Sequence, residues 1–120
     1  LDLEGTLENG KVLVIASSQA EIYSGEVITS TVTYFNGDDA VALQKKSTGK
    51  YVDIIGRIGE RDNWSAEGDN LSTKDNTLVR KPSVRSGVTD NPAAGFPTLA
   101  TEWIGYPKDT ADYLGSHTMN

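Results

Sequence analysis

The stretch YFNGDDAVALQKKSTGKYVDIIGRIG, residues 34–59, carries the densest structural signal in the chain. Two short apolar runs, at residues 41–43 and 51–58, flank a polar segment that contains Gly49. This pattern is typical of a β-hairpin whose loop needs one residue at positive φ, a conformation that glycine adopts without strain. The stretch therefore predicts a hairpin of two antiparallel strands.

The second apolar run also predicts which face of the hairpin is buried. Val52, Ile54 and Ile58 fall on one face of an extended strand, so we expect that face to meet the core. Upstream, an Asn-Gly pair at residues 36–37 is a strong turn signal, and the mostly β-branched and aromatic residues 29–35 precede it. The sequence thus predicts a three-stranded meander.

Composition bounds the class of protein. The 120 residues, 37% of them hydrophobic, are expected to form one domain, residues 1–120, with a buried core. A net charge of −6 argues against a nucleic-acid partner, because such binding depends on clustered Lys and Arg. The sequence has no cysteine, and no apolar run approaches the roughly 20 residues that span a bilayer. We expect no thiolate metal site, no cofactor and no membrane insertion.

The segments before this stretch predict further strands. Residues 1–7 alternate apolar and polar side chains, and an Asn-Gly turn at residues 9–10 leads into KVLVIAS at residues 11–17. Both strand faces of KVLVIAS are apolar, which is typical of a central strand covered on both sides. Residues 20–23 predict one short helical turn.

The segments after the hairpin predict a long loop and two more strands. We expect Trp64 to pin the polar loop, and Phe96 to anchor a later irregular segment. TLVRK at residues 77–81 and EWIGY at residues 102–106 predict strands. DTADYL, which begins at Asp109, predicts a final helical turn with that residue as its N-cap. Six or seven short strands at about 8 to 12 residue spacing favour an all-β sandwich or barrel with long irregular loops.

Several short segments carry a family resemblance that runs through the whole chain. They are LDLEGTL (1–7), KVLVIAS (11–17), FNGDDAVAL (35–43), VDIIGRIG (52–59), Trp64, TLVRK (77–81), Glu102-Trp103 and LGSHT (114–118). In this order and rough spacing they resemble the lamin tail domain, also called the intermediate filament tail domain, of bacterial secreted and surface proteins. FNGDDAVAL, TLVRK and LGSHT are the more specific elements.

The resemblance implies an immunoglobulin-like β-sandwich that is not an enzyme. It implies a non-catalytic interaction or tethering module of an extracellular or cell-surface protein, whose partner is a protein or a cell-surface polymer. Similar domains occur beside secreted hydrolases, so an accessory domain of a secreted nuclease or phosphatase is one alternative. A carbohydrate-binding module that uses exposed aromatic side chains is another.

One departure from the family concerns the start of the sandwich. Similar domains begin with a further strand pair before the region that matches Leu1, and that pair has no counterpart here. We therefore expect residues 1–120 to be a fragment of a longer protein whose N-terminal strands are missing. The strand that would pair with them then has an unpaired edge, which recruits another strand. We expect either a dimer, through edge pairing or strand exchange, or a proteolytically trimmed N-terminus whose missing strands remain associated.

The turn that follows Phe35 holds candidate metal ligands. Asn36, Asp38 and Asp39 offer oxygen atoms of the kind that calcium prefers, but their spacing lacks the alternating acids and the terminal Glu of an EF-hand loop. We favour a structural turn at Gly37 whose carboxylates bind nearby backbone amides.

His117 is the only histidine in the sequence. A two-histidine acid/base mechanism is therefore excluded within one chain. The adjacent Ser116 would point to the opposite face if both residues lay on a strand, which does not suit a nucleophile and its base. We expect a structural role, in which the His117 side chain closes the last segment by a hydrogen bond to the backbone.

Large aromatic side chains are candidates either for a core or for a sugar-binding platform. In a β-sandwich such side chains usually fill the space between the sheets, and we favour a core position for both Trp64 and Trp103. The other candidates for a platform are Tyr23, Tyr51, Tyr106 and Tyr113.

Arg80 lies in TLVRK and is a candidate for an ion pair. Its guanidinium group matches the geometry of a carboxylate, and Asp53 and Asp75 are the candidate partners. We expect this pair to be a structural clamp.

Overall fold

A computed structural model describes residues 1–21 and 23–120. Over these residues the fold is rich in β-structure, with six short strands that form three two-stranded sheets. The first sheet is parallel and the other two are antiparallel, one a tight hairpin and the other a wide hairpin whose strands are joined by residues 81–102. The strands are β1 (Ile15–Ala16), β2 (Ile28–Thr29), β3 (Val41–Gln44), β4 (Tyr51–Ile55), β5 (Asn76–Arg80) and β6 (Trp103–Pro107), with a 3₁₀ helix at Thr31–Thr33 and a short helix α1 at Leu99–Glu102.

The β3–β4 hairpin confirms the main sequence prediction. Gly49 in its loop has φ +71°, and its N–H donates a hydrogen bond to the carbonyl of Lys45 over 2.8 Å. Ile54 is buried, as expected, but Val52 is 46% exposed. The pairing register shifts between the Leu43 and Gln44 positions, so Val52 is an extra residue in β4. Such a bulge removes a residue from the regular alternation, and it explains why the expectation for Val52 is wrong.

β4 is shorter than the apolar run that predicted it. It ends at Ile55 because Gly56 has φ +82°. A Cβ atom on Gly56 would lie 2.4 Å from Cζ3 of Trp64, so only glycine lets the indole ring pack this closely against the backbone. Ile58 lies beyond the strand, where its N–H and carbonyl bind the side-chain amide of Asn91.

The β5–β6 hairpin confirms both strands predicted after the long loop, each displaced by one residue. Its register pairs Arg80 with Trp103 and Val79 with Ile104. The helix α1 directly precedes β6, and its Leu99 side chain is buried. Side chains alternate along an extended strand, so neighbouring residues of β5 and of β6 face opposite sides of this hairpin.

The core lies on one side of the β5–β6 hairpin. Four side chains are buried together: Trp64, Phe96, Leu99 and Trp103. Phe96 meets both indole rings edge-on, with centroid distances of 6.3 Å and 6.2 Å. The predictions that Trp64, Phe96 and Trp103 anchor the core are confirmed. Edge-to-face aromatic contacts of this kind add about 0.5 to 1.5 kcal/mol each beyond the burial of their area.

The N-terminal third departs most from the sequence predictions. The expected covered strand at residues 11–17 is reduced to β1, and Val12 and Leu13 are 38% and 45% exposed. Within the described residues β1 pairs with β2 alone, so it is an edge strand and not the central strand that was expected. Residues 1–7 are exposed and form no strand. The Asn-Gly turn at residues 9–10 is confirmed by a 3.0 Å hydrogen bond from Lys11 N to Glu8 O.

Of the strand expected at residues 29–35, only Thr29 lies in a strand, because β2 ends at that residue. The Ser30 hydroxyl accepts a hydrogen bond from the N–H of Val32 and caps the 3₁₀ helix that follows. Such local side-chain bonds compete with strand pairing, so a three-stranded meander is wrong. The helical turn expected at residues 20–23 includes Ile22 and lies partly outside the described residues.

The C-terminal segment forms turns where a helical turn was predicted. Asp109 has φ +61°, whereas an N-cap residue has an extended backbone, so the expectation for Asp109 is wrong. Separate turns join Pro107 to Thr110 and Ala111 to Leu114. The segment then crosses to the start of the irregular region, where the N–H of Asn120 donates to the carbonyl of Pro82 over 2.9 Å.

Candidate functional site

The turn at Asn36-Gly37 places its two carboxylates beside an arginine. Nε of Arg61 donates a hydrogen bond to Oδ2 of Asp38 over 2.9 Å and lies 4.0 Å from Oδ1 of Asp39. The hydrogen bond to Arg61 lowers the pKa of the Asp38 carboxyl below its ordinary value. The expectation that the carboxylates of this turn bind backbone amides is incomplete for Asp38, because its own backbone N–H contributes but its main partner is the guanidinium of Arg61.

The same turn is tied to two distant loops. The hydroxyl of Thr73 donates to the carbonyl of Gly37, and the N–H of Asp62 donates to the carbonyl of Asp38 over 3.2 Å. Phe35 and Asn36 are exposed beside it. Over residues 1–21 and 23–120, no three His, Cys, Asp or Glu side chains are close enough together to hold a metal ion. The turn therefore connects distant loops, and the positive charge beside Asp38 is the guanidinium group of Arg61.

Arg80 pairs with Asp53, one of its two predicted partners. The guanidinium contacts both carboxylate oxygens, with Nη2 at 3.2 Å from Oδ1. Oδ1 of Asp53 also accepts the backbone N–H of Val88 over 2.9 Å. Glu102 lies 3.9 Å from Nε of Arg80, and the guanidinium lies 4.6 Å from the ring centroid of Trp103. Arg80 and Trp103 are thus brought together in one clamp between the two hairpins.

Glu60 forms a second clamp, which the sequence did not indicate. Its Oε1 accepts the indole N–H of Trp64 over 3.1 Å, and its Oε2 accepts the backbone N–H of Gly95 over 3.2 Å. Arg57 lies 3.6 Å away. The hydrogen bond from Gly95, followed by that from Trp64, lowers the pKa of Glu60.

Of the aromatic side chains considered for a sugar-binding platform, Tyr106 and Tyr113 lie against each other. Trp64 and Trp103 are buried and cannot present a flat face to a sugar. Tyr106 and Tyr113 pack against each other with a centroid distance of 4.6 Å and a tilt of 32°. The proximity of the Tyr113 hydroxyl, together with partial burial, raises the pKa of Tyr106. This pair lines a cavity of about 210 Å³.

His117 lies at the rim of this cavity and is exposed. In the part of the chain that the structure describes, its side chain makes no hydrogen bond to the backbone, so the expected closing contact is wrong. The backbone bond from Asn120 to Pro82 holds the segment end instead. Ser116 lines the same cavity but makes no hydrogen bond with His117 among the described residues, so these two are not arranged as nucleophile and base.

The edge of β1 opposite β2 is open. The carbonyls of Val14 and Ala16 accept the N–H groups of Ile28 and Ser30, so these residues direct their backbone groups towards β2. Ile15 lies between them and directs its N–H and carbonyl to the other edge. No backbone group among residues 1–21 and 23–120 pairs with it there.

In comparisons with known protein families, curated proteins and solved structures, nothing matches this chain. None of the helices over the described residues is long and apolar enough to cross a membrane.

Proposed function

We propose that this chain is a non-catalytic interaction or tethering module of an extracellular or cell-surface protein, with an immunoglobulin-like sandwich of the lamin tail type. The order of its sequence segments supports the proposal, and so do its two hairpins. FNGDDAVAL leads into β3, VDIIGRIG covers most of β4, and TLVRK coincides with β5 except for one residue. The partner binds by adding a strand to the open edge of β1.

The observation that carries the proposal is the combination of that edge with uncovered apolar side chains. Val12 and Leu13 precede β1, and Ile28 lies in β2, and all three are exposed. An extended segment laid along the open edge of β1 would satisfy the backbone groups of Ile15 and cover the neighbouring Val12 and Leu13. Strand addition derives its affinity from such main-chain bonds and its specificity from the alternate side chains.

The β1 edge is a better acceptor than the edge of β3. Exposed Leu43 in β3 is followed by Lys45 and Lys46, and charged lysines of this kind protect sheet edges against further pairing. Residues 12–16 carry no charge, and Lys11 is the only basic residue beside them. The edge of β1 is therefore less protected against strand addition than the edge of β3.

A second copy of this chain is the occupant that can be tested directly. VLVIA, residues 12–16, is apolar throughout, so two copies can pair antiparallel across a two-fold axis, which makes the interface self-complementary. Sedimentation of the chain over a wide range of concentration should reveal reversible dimerisation. A chain that stays monomeric at every concentration contradicts pairing between copies.

Two variants locate the interface. Leu13→Lys adds a charge at the β1 edge and should abolish dimerisation while leaving the stability of the monomer unchanged. Leu7→Lys changes a leucine outside any strand that is more exposed than Leu13, at 61% against 45%, and should dimerise as the wild type does. Equal dimerisation of both variants would place the interface elsewhere.

The non-catalytic part of the proposal rests on the surroundings of His117, which makes no hydrogen bond with Ser116 among the described residues. Incubation of the purified chain with nucleic acid, phosphoester and ester substrates should show no turnover. A rate that disappears in His117→Ala contradicts this part and leaves the strand-pairing test unaffected.

A further inference from the structure

The β5–β6 hairpin has a second face, which lies opposite the core. Leu78 and Trp103 face the core, so their neighbours Val79 and Ile104, which pair with each other, face the other side. Residues 113–118 cross over this second face. They do not fill the space above it, and a cavity of about 210 Å³ remains between the segment and the hairpin.

Residues 113–118 form the roof of the cavity, and contacts on both sides of this segment hold it in place. Tyr113 packs on Tyr106 of β6, and the N–H of Asn120 donates to the carbonyl of Pro82. The floor consists of Val79, Ile104 and the ring of Pro82. Because this segment is held at two points, the cavity results from the packing of the segment against the β5–β6 hairpin.

The size of the cavity corresponds to a single six-membered ring. A cavity of about 150 Å³ lined by apolar side chains is large enough to bind benzene. About 210 Å³ accommodates one such ring with a small substituent, and it is smaller than the roughly 300 Å³ at which sites for drug-sized ligands begin.

The lining favours an aromatic ring over a sugar. Val79, Pro82 and Ile104 offer no side-chain hydrogen-bond partner to the hydroxyl groups that a sugar would bring to the floor. The Tyr106 and Tyr113 rings instead offer aromatic faces and edges for tilted packing. Polar atoms are placed at the rim, where Ser116 and His117 can bind one hydroxyl group of the ligand.

The charges around the cavity favour a neutral ligand. Arg80 lines the cavity, but it pairs with Trp103 and its side chain lies on the core face, where the guanidinium is paired with Asp53 and lies 3.9 Å from Glu102. Little positive charge therefore remains for an anion. We infer that the cavity is a binding site for one neutral phenol-type ring, either a free phenol or the side chain of a tyrosine in a partner peptide. Tyr113 and Ser116, which line this cavity, also lie beside residues 12–15, so the cavity adjoins the segment that contains β1. The inference does not depend on the proposed function.

The test is an NMR titration of the chain with p-cresol. We expect saturable shifts of the Val79 and Ile104 methyl signals and of the Tyr106 and Tyr113 ring signals. Benzoate and methyl glucoside, as anionic and sugar probes, should leave these signals unchanged. An acetylated and amidated Gly-Tyr-Gly peptide distinguishes the two sources of the ring, since shifts with p-cresol alone restrict the site to free phenols.

Variants separate binding in the cavity from binding elsewhere. Tyr113→Ala removes the aromatic roof and should weaken p-cresol binding at least about tenfold, which corresponds to about 1.4 kcal/mol. Tyr34→Ala removes an exposed tyrosine outside the cavity and should bind as the wild type does. Absence of saturable shifts in the wild type, preferential binding of the glucoside or benzoate, or equal affinity in Tyr113→Ala would each overturn the inference.

Discussion

The carboxylate of Asp53 binds the guanidinium of Arg80 through both of its oxygens, and so joins β4 of one hairpin to β5 of the other. The same carboxylate accepts the N–H groups of Ile54 and Val88. One side chain therefore links the two hairpins and the irregular segment that follows β5. The ion pair is partly buried, with 15% of the Arg80 side chain exposed.

Replacing this carboxylate should destabilise the fold. Asp53→Asn leaves the guanidinium without its charged partner, and hydrogen bonds to charged groups contribute about 1.5 to 3 kcal/mol. We expect the free energy of unfolding to fall by about 2 to 3 kcal/mol in a denaturant titration. Asp75→Asn, at the other carboxylate considered for Arg80, is the matched control. Its exposed contact with Lys108 at 4.0 Å should contribute less than about 0.5 kcal/mol. Equal losses in both variants would contradict the clamp.

Trp103 should be the most costly aromatic side chain to remove from the hairpin. Its ring packs on Phe96 and beneath Arg80, and truncation of a buried tryptophan costs about 3 to 5 kcal/mol. A loss of that size is expected for Trp103→Ala in denaturant melts. Tyr34→Ala, at an exposed aromatic position, should change stability by less than about 0.5 kcal/mol. A near-zero loss for Trp103→Ala would mean that the ring is not part of the core.

The β3–β4 hairpin could be predicted because its signals are local, whereas β5 and β6 could be predicted as strands but not as a pair. Gly49 marks a turn at positive φ, and the apolar runs on either side have strand length. The ion pair between Arg80 and Asp53 could be predicted as one of two alternatives, because a guanidinium group matches a carboxylate and Asp53 was one of the two candidate partners. The exposure of Val52 was not, because a bulge depends on the register between two strands, which alternation within one strand does not determine.

The structure of the N-terminal third and the contacts between distant loops could not be predicted, for a different reason. KVLVIAS has the composition of a covered strand, but composition does not say whether other segments of the chain reach it. The contact of Arg61 with Asp38 joins residues 23 positions apart, and that of Arg80 with Asp53 joins residues 27 positions apart. The hydrogen bonds from Val88 to Asp53 and from Gly95 to Glu60 each join residues 35 positions apart. Such contacts follow from the path of the loops, for which the sequence offered no periodic signal.

Calcium should leave the stability of the chain unchanged. Asp38 in the Asn36 to Asp39 turn already binds Arg61, whose positive charge opposes a metal ion at the same carboxylate. We expect the same Tm in excess calcium and in excess chelator. A ligand that binds only the folded state must raise the Tm, so a calcium-dependent rise of several degrees would establish a site in this turn.

The Glu60 clamp should make stability depend on pH in the acid range. Folding lowers the pKa of this carboxyl below its ordinary value of 4.5, because Gly95 and Trp64 donate hydrogen bonds to the charged form. As the pH falls, the unfolded chain therefore takes up its proton first. The stabilisation is fully present above about pH 4.5 and decreases as the pH falls through the lower pKa of the folded state.

Glu60→Gln isolates this contribution, because the amide keeps one acceptor oxygen but does not titrate. We expect the variant to be less stable than the wild type near pH 7, and the difference to shrink as the pH falls below 4.5. Asp38, whose pKa is also lowered, keeps some acid sensitivity in both proteins. The control is Glu67→Gln at an exposed position, which should follow the wild-type profile. Denaturant titrations at a series of pH values measure all three proteins. If the gap between wild type and Glu60→Gln stays constant down to the acid limit, the hydrogen bonds to Glu60 do not depend on its charge.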